Sequence, residues 1–210
     1  MQKTGLRARK RQQTHEAIVA AALRVFTAKG YDAATLEDVA SDAKVAKRTL
    51  LRYFPSKSAL LLHGPYRALH EFKLDMAQRA ERSVLDVWEA HVRTSTRRRL
   101  RDQRNLATSL LIEREQSLAA EQLAINREYH EVLATALMSE IKTAYASEVV
   151  CNVIAGGLVS GQSAIYRHLM RERSYAENVD RIYQVVQLGR DIIAHLEHAA
   201  PKPGSQPSVR

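Results

Sequence analysis

An all-α fold is the structure that this 210-residue sequence predicts. Between Gln12 and Ala200, apolar residues recur at intervals of three and four, the repeat of a helix with one buried face. No convincing stretch alternates with a period of two, and the abundant Ala, Leu, Glu, Arg and Gln are good helix formers. Only five prolines occur, and three of them lie in the last ten residues. We therefore expect about nine helices.

The first helix boundaries follow from particular residues. The opening helix should end at Lys29, because Gly30 readily adopts the left-handed conformation found after many helix C-termini. The second helix should begin after Thr35, whose hydroxyl can cap free amides. Glu37 and Asp38 in its first turn complement the helix dipole.

Prolines and small polar residues mark the later boundaries. A break at Pro55 separates the third helix from a fourth that begins near Lys57, and Gly64-Pro65 should break or kink that fourth helix early. Further helices are expected at residues 66–82, 84–98, 101–116, 118–143, 147–171 and 176–199. Residues 200–210 cannot form a core, so we expect a disordered tail there.

Positive charge is concentrated at the N-terminus. Residues 1–58 hold twelve Lys and Arg against five Asp and Glu, which is +7 of the formal net charge of +9. This asymmetry indicates that the N-terminal part meets a polyanion; the alternative is a basic segment that serves solubility. Residues 1–11 are expected to be a flexible basic arm that tracks phosphates or enters a minor groove, or else a solubilising tail.

Several classes of protein are disfavoured by composition. Cys151 is the only cysteine, so no intrachain disulfide framework is possible, and its apolar surroundings predict burial. The N-terminus lacks the apolar stretch of a signal peptide, and the longest apolar segment, Val149 to Ile165, is too short and too polar to span a bilayer. No catalytic triad, phosphate-binding glycine loop or metal motif is evident, so we expect a cytoplasmic protein that is not an enzyme and has no cofactor or metal.

Residues 35–57, TLEDVASDAKVAKRTLLRYFPSK, carry the pattern that points to a function. A short helix (36–41), a tight turn (43–45) and a second short helix (46–53) can pack together at a steep angle. Such a helix-turn-helix places its second helix in a DNA major groove, where Arg and Lys can bridge guanine edges. The alternative is an ordinary helical hairpin with a solvated basic face. The candidate DNA-binding residues are Thr35, Lys47, Arg48, Thr49, Arg52, Tyr53 and Lys57, of which Thr35 and Lys57 are expected to hold phosphates.

Residues 12–62 resemble the DNA-binding domain of the TetR family of repressors. The matching segments are FTAKGYDAAT, LEDVASDAKV and KRTLLRYFPSKSALL. The resemblance implies an Ω-shaped, all-helical homodimer whose two heads read a palindromic DNA operator. Three residues depart from the family: Lys44 replaces a glycine in the turn, Ala46 replaces a serine, and Leu51 replaces an aromatic residue. The first two departures should each cost about 1 kcal/mol of stability, and we do not carry the phosphate contact of the aromatic over to Leu51.

Residues 63–199 are expected to form a ligand-binding and dimerisation domain. Small residues in one segment (Ala155, Gly156, Gly157 and Gly161) and an apolar stripe in the last helix (Val185, Leu188, Gly189, Ile192 and Leu196) suggest a homodimer through the last two helices. The alternative is that both stripes are intramolecular core. His91 and His130 are expected inside this domain as hydrogen-bonding groups.

A further local resemblance, to a TetR subgroup that binds acyl-CoA-like molecules, implies an apolar tunnel. Its expected lining is Leu85, Trp88, Leu110, Leu111, Leu133, Leu137 and Ile154; the alternative is that these residues are plain core. The Arg-rich segment 93–104 either receives phosphates of the ligand or is a solvated helix face. The resulting hypothesis is a repressor that a small hydrophobic effector releases from DNA. The alternatives are a DNA-binding regulator not controlled by a small molecule, an activator, or a helical lipid-binding module.

Overall fold

The structure is a computed structural model that describes residues 2–101, 103–141, 147–172 and 180–199. No β-strand occurs in these ranges, and helices make up nearly all of them, so the predicted all-α fold is confirmed. A 3-10 turn at Gln116–Leu118 lies between α6 and α7. The helices are α1 (Gln2–Lys29), α2 (Leu36–Asp42), α3 (Lys47–Tyr53), α4 (Lys57–Ala77), α5 (Val84–Arg101), α6 (Gln103–Arg114), α7 (Ala119–Glu140), α8 (Glu148–Arg171) and α9 (Arg181–Ala199).

The described residues divide into two compact units. The N-terminal unit contains the residues up to Ala68 together with Arg97–Gln122. The C-terminal unit contains Leu69–Thr96 together with the residues from Leu123 onwards. Our prediction assigned all of 63–199 to the second domain, whereas the structure groups α6 and the 3-10 turn with the N-terminal helices.

The first helix is longer than predicted. We expected a flexible arm at residues 1–11, but α1 begins at Gln2 and ends at Lys29, where Gly30 has the expected positive φ of 80°. Within this helix, the hydroxyl of Thr14 donates to the carbonyl of Lys10 at 2.9 Å, the usual local partner of a helical hydroxyl. Residues 5–12 are exposed, so a helix presents their basic side chains to solvent.

The predicted break at Gly64-Pro65 is wrong, because α4 continues through Pro65. A proline inside a helix removes one backbone hydrogen bond and costs about 3 kcal/mol. Buried side chains lie on both sides of the proline, among them Leu62 and Phe72. Their burial favours the continuous helix and outweighs the local cost of the proline.

One apolar core holds the N-terminal unit together. Ile112 of α6 and Leu118 of the 3-10 turn join it, which explains why this segment groups with the N-terminal helices. Neither residue was assigned to this core from the sequence. The other large side chains of this core come from α1 to α4 and the turns between them: Ile18, Phe26, Tyr31, Leu50, Phe54, Leu60 and Leu62.

Two glycines allow α8 and α9 of the same chain to approach closely. A Cβ atom on Gly189 would lie 3.0 Å from Cδ2 of Leu158, and one on Gly161 would lie 3.1 Å from Cγ1 of Val185. These glycines therefore serve an intramolecular contact, although we expected both of them to face a partner chain. Cys151 is fully buried, as predicted, and burial raises the pKa of its thiol.

An ionic cluster joins α5 to α9 in the C-terminal unit. Nη2 of Arg190 donates to Asp86 Oδ1 at 2.7 Å and to Glu89 Oε2 at 3.0 Å. The guanidinium of Arg93 lies 4.0 Å from the ring centroid of Tyr183. The hydrogen bond from Arg190 lowers the pKa of Asp86. One guanidinium thus bridges two carboxylates of the neighbouring helix.

We expect Arg190→Met to lower the free energy of unfolding of the C-terminal unit by about 1 kcal/mol, because two partly exposed ion pairs are lost at once. Urea unfolding followed by the fluorescence of Trp88, which lies in the same unit, measures the change. Arg127→Met is the control: among the described residues, Arg127 pairs only with the exposed Glu131 four residues away, so its loss should cost less than about 0.5 kcal/mol. Equal effects of the two substitutions would contradict the bridging role.

Candidate DNA-binding surface

The helix-turn-helix forms where the sequence predicted it. After α2, the turn is closed by hydrogen bonds from Lys44 N to Ser41 O (3.1 Å) and from Val45 N to Ala40 O (3.0 Å). Ala40 and Leu50 are buried between the helices. Lys44 has a φ of 56°, the left-handed conformation that favours glycine. A lysine therefore stands in the turn where the backbone suits glycine.

The two helices of the motif begin in different ways. Thr35 caps α2 through a reciprocal pair: its hydroxyl accepts from Asp38 N at 3.1 Å, and Asp38 Oδ2 accepts from Thr35 N at 3.0 Å. The N-cap of α3 is Ala46, which has no side chain able to accept such a bond. The stability of α3 therefore comes from packing, through Leu50.

We expect Lys44→Gly and Ala46→Ser each to raise the local stability of α2 and α3 by about 1 kcal/mol. The first relieves a left-handed lysine, and the second supplies the missing cap. Amide hydrogen exchange in the two helices measures both effects. Lys44→Ala is the control for the turn: it removes the same charge and keeps a Cβ at positive φ, so it should not stabilise. If exchange also became slower in Lys44→Ala, the stabilisation by Lys44→Gly would come from loss of the charge and not from relief of backbone strain.

The exposed side of α3 is basic. Arg48 and Arg52 are both exposed, as is Leu51 between them, while Thr49 is half-buried. The guanidinium of Arg52 lies 5.9 Å from the ring centroid of Tyr53. Tyr53 is half-buried and packs against the core of the unit.

The acidic residues of α2 are each paired with a cation. Lys47 pairs with Glu37, and Nζ of Lys29 lies 2.7 Å from Asp38 Oδ1. The ammonium of Lys29 and the capping bonds of Thr35 hold the pKa of Asp38 at about 2. Nε of Arg24 donates to Asp42 Oδ2 at 3.0 Å. These pairs leave Arg48 and Arg52 as the cations on α3 that no carboxylate of the described residues neutralises.

Lys57 has a structural contact that the sequence did not reveal. Its ammonium donates to three backbone carbonyls that follow α1, those of Tyr31 (2.8 Å), Asp32 (3.0 Å) and Ala34 (3.0 Å). It also lies 4.8 Å from the ring centroid of Tyr31. We expected Lys57 to hold a phosphate, but all three of its N–H donors are engaged here. Its position at the start of α4 serves the fold of the N-terminal unit.

Two histidines pack against the C-terminal end of α3. The ring centroids of His15 and His63 lie 5.3 Å apart, and Phe54 lies 5.0 Å from His15 and 5.7 Å from His63. Burial lowers the pKa of both rings. The charge of Arg67 lowers them further, and Glu16 partly opposes this effect at His15. The folded N-terminal unit therefore favours neutral imidazoles.

We expect the N-terminal unit to lose stability as the pH falls below about 6.5, where the rings protonate in the unfolded chain but resist protonation in the folded one. The loss continues until the folded rings are also charged. Hydrogen exchange of the α3 amides at about pH 7.5 and about pH 5.5, corrected for intrinsic rates, measures it. His15→Phe keeps a ring against Phe54 and removes one titrating group, so its pH dependence should be shallower. An unchanged pH dependence in this variant would contradict the role of His15.

The expected effector-binding residues fall into both units. Leu85, Trp88, Leu133, Leu137 and Ile154 are buried in the C-terminal unit. Leu110 and Leu111 lie on α6 of the N-terminal unit, where Leu111 packs against the core, so the structure does not bring all seven into one unit.

Sequence reasoning missed a compact aromatic cluster in the C-terminal unit. Phe72 and Tyr129 surround Trp88 and His91, and all of the ring centroids lie between 5.0 and 5.7 Å apart. The predicted hydrogen-bonding roles of His91 and His130 are confirmed: His91 Nε2 lies 3.0 Å from Tyr129 Oη, and His130 Nε2 lies 3.1 Å from Asn152 O. Four residues on three helices carry no common sequence spacing, so only the structure shows the cluster.

A helix-turn-helix with exposed arginines on its second helix is the arrangement expected of a DNA-reading motif. Residues 18–63 match the family of bacterial regulatory proteins described as the tetR family. TcmR of Streptomyces glaucescens, an HTH-type transcriptional regulator, is 39% identical over 67 residues, which are 32% of this chain and 29% of TcmR. The chain thus spans less than a third of the length of this relative.

Solved structures of regulators share the whole fold. SmeT, the repressor of the Stenotrophomonas maltophilia multidrug efflux pump SmeDEF, is 18% identical with a TM-score of 0.60, over 93% of this chain and 94% of SmeT. The transcriptional regulator FadR of Bacillus subtilis, solved in complex with stearoyl-CoA, is 17% identical with a TM-score of 0.52, over 86% of this chain and 96% of FadR. The TetR-like fold that the resemblance implied is confirmed.

Proposed function

We propose that the protein is a dimeric transcriptional repressor that binds a palindromic operator through α3 and releases it when a small hydrophobic effector binds. The observation that carries this proposal is the pair of exposed arginines, Arg48 and Arg52, on the second helix of the motif. Guanidinium groups at such positions suit bidentate contacts to guanine edges. The pairing of the acidic groups of α2 with Lys and Arg removes the charges that would repel phosphates.

The dimer is proposed to form through α8 and α9. Val149 and Val153 on α8 are 71% and 68% exposed, and Leu188 and Ile192 on α9 are exposed as well. Gly157 has open space beside it, so a helix of a second copy can approach there. By length and composition α8 is also apolar enough to cross a membrane, with 28% of its most apolar window buried. We propose that a second copy of the chain covers these exposed apolar residues of α8 and α9, because reading a palindrome requires two heads.

The effector is proposed to bind in the C-terminal unit. Five of the seven expected lining residues are buried there, and FadR, which shares the fold, was solved with stearoyl-CoA. The helix that follows α3 is α4, which begins in the N-terminal unit and ends in the C-terminal unit. An effector that binds more tightly to one position of α4 than to another would favour that position, shift the heads and change the affinity for DNA. The effector can act only through this difference between its own affinities for the two positions.

We expect Arg48→Met and Arg52→Met each to weaken operator binding by about tenfold or more, because each removes a contact worth about 1–3 kcal/mol. The operator is first selected from random duplex DNA by repeated enrichment with the wild-type protein, and affinities are measured by fluorescence anisotropy. Neither substitution should change stability, because both side chains are exposed. Lys57→Met should instead lower the free energy of unfolding of the N-terminal unit by about 2 kcal/mol, because three backbone carbonyls lose a charged donor.

Two results would overturn this proposal. Failure to enrich any DNA sequence would remove the DNA-binding function, and retention of full affinity by both arginine variants would remove α3 as the reading helix. Titration of the complex with stearoyl-CoA tests control by an acyl-CoA-like effector. Release of DNA supports it, whereas binding of stearoyl-CoA without release leaves a regulator that this ligand does not control.

A further inference from the structure

Three buried polar atoms of the C-terminal unit lack a hydrogen-bond partner among the residues that the structure describes. They are Nε1 of Trp88 and Oγ1 of Thr96, both on α5, and Oε1 of Gln162 on α8. Trp88 is 3% exposed and Thr96 is 1% exposed. Native proteins satisfy nearly all of their buried polar groups, so each exception calls for a water or ligand that completes it.

None of the rings packed around Trp88 accepts a hydrogen bond from its indole N–H. Its ring is packed by Phe72, which has no polar atom, by Tyr129, and by His91 at 5.7 Å between centroids. Nε2 of His91 is already engaged with the hydroxyl of Tyr129. The aromatic cluster thus holds the indole firmly and leaves its one donor without a partner.

The hydroxyl of Thr96 does not make the hydrogen bond that a hydroxyl in a helix usually makes. Such a hydroxyl commonly donates to the carbonyl four residues earlier, which here is that of Val92. Ser95 donates to this carbonyl at 3.0 Å, while the hydroxyl of Thr96 remains without a partner in the described chain. Thr96 lies two turns beyond Trp88, about 12 Å along the helix axis. Both groups belong to the buried side of α5, which also carries Leu85 and Val92.

We propose that these three groups bind a neutral, heteroatom-bearing effector that places a carbonyl oxygen or ring nitrogen on the indole N–H of Trp88. This inference rests on the proposed effector function of the C-terminal unit and names the ligand class more closely. A saturated acyl chain would leave all three polar atoms without partners. The part of the ligand that meets these groups is neutral. A buried ligand charge would need an opposite charge beside it, and none of the buried side chains of the described residues is charged.

The single tryptophan of the chain makes the test direct. Its indole N–H gives one signal in a proton–nitrogen correlation spectrum. The probes are neutral fragments in matched pairs of equal shape, such as isoquinoline and naphthalene, that differ by one acceptor atom. We expect acceptor-bearing members to shift this signal downfield and to bind about tenfold more tightly than their hydrocarbon partners.

Two variants separate ligand binding from folding. Trp88→Phe should remove the preference for the acceptor while still binding the hydrocarbon. Thr96→Val keeps the shape of the side chain and removes an unpartnered hydroxyl, so the free protein should become more stable to urea. A Thr96→Val protein that is less stable would contradict the proposal. An indole signal that no fragment shifts, or equal affinities within the pairs, would overturn it.

Release of operator DNA is measured separately. Fragments that bind with the expected preference but leave DNA bound support the ligand class and count against the proposed control of DNA binding. Release of DNA by stearoyl-CoA, with no fragment shifting the indole signal, supports that control and refutes the polar ligand.

Discussion

The ammonium group of Lys57 fixes the geometry on which the N-terminal unit depends. It binds three carbonyls of the segment that joins α1 to α2, and it lies at the first residue of α4. The elements on both sides of α3 are therefore tied together at one point. α3 has only seven residues and no side-chain cap, so it would not be stable by itself. Packing through Leu50, together with neighbouring elements that Lys57 ties to one another, supports the helix that carries Arg48 and Arg52.

In the C-terminal unit, α5 carries both an ionic contact and unsatisfied polar groups. Its acidic residues Asp86 and Glu89 bind Arg190 of α9, and this contact joins the two helices. Its buried residues include Trp88 and Thr96, whose polar atoms are unsatisfied within the described chain. A helix anchored in this way holds its polar groups in place, and polar groups held in place before binding lower the entropy cost of binding.

Features set by neighbouring residues were predictable from the sequence, and features set by distant contacts were not. Thr35 caps an amide three residues away and Gly30 acts through its own φ, so the boundaries that they mark were found, as was the unfavourable backbone of Lys44. Pro65 was misjudged because burial along the whole of α4 overrides a local penalty. The partners of Lys57 lie 23 to 26 residues away, and no periodicity encodes such a contact.

The helical state of the basic N-terminus limits how far its charges extend. Ten residues span about 15 Å as a helix but roughly 33 Å as an extended strand. A helix also gives up far less chain entropy when it meets a phosphate backbone than a flexible arm does. In the proposed complex with DNA, the basic residues of α1 would therefore reach only phosphates close to their own head. Under that proposal, these properties favour a short operator footprint with little ordering of the protein on association.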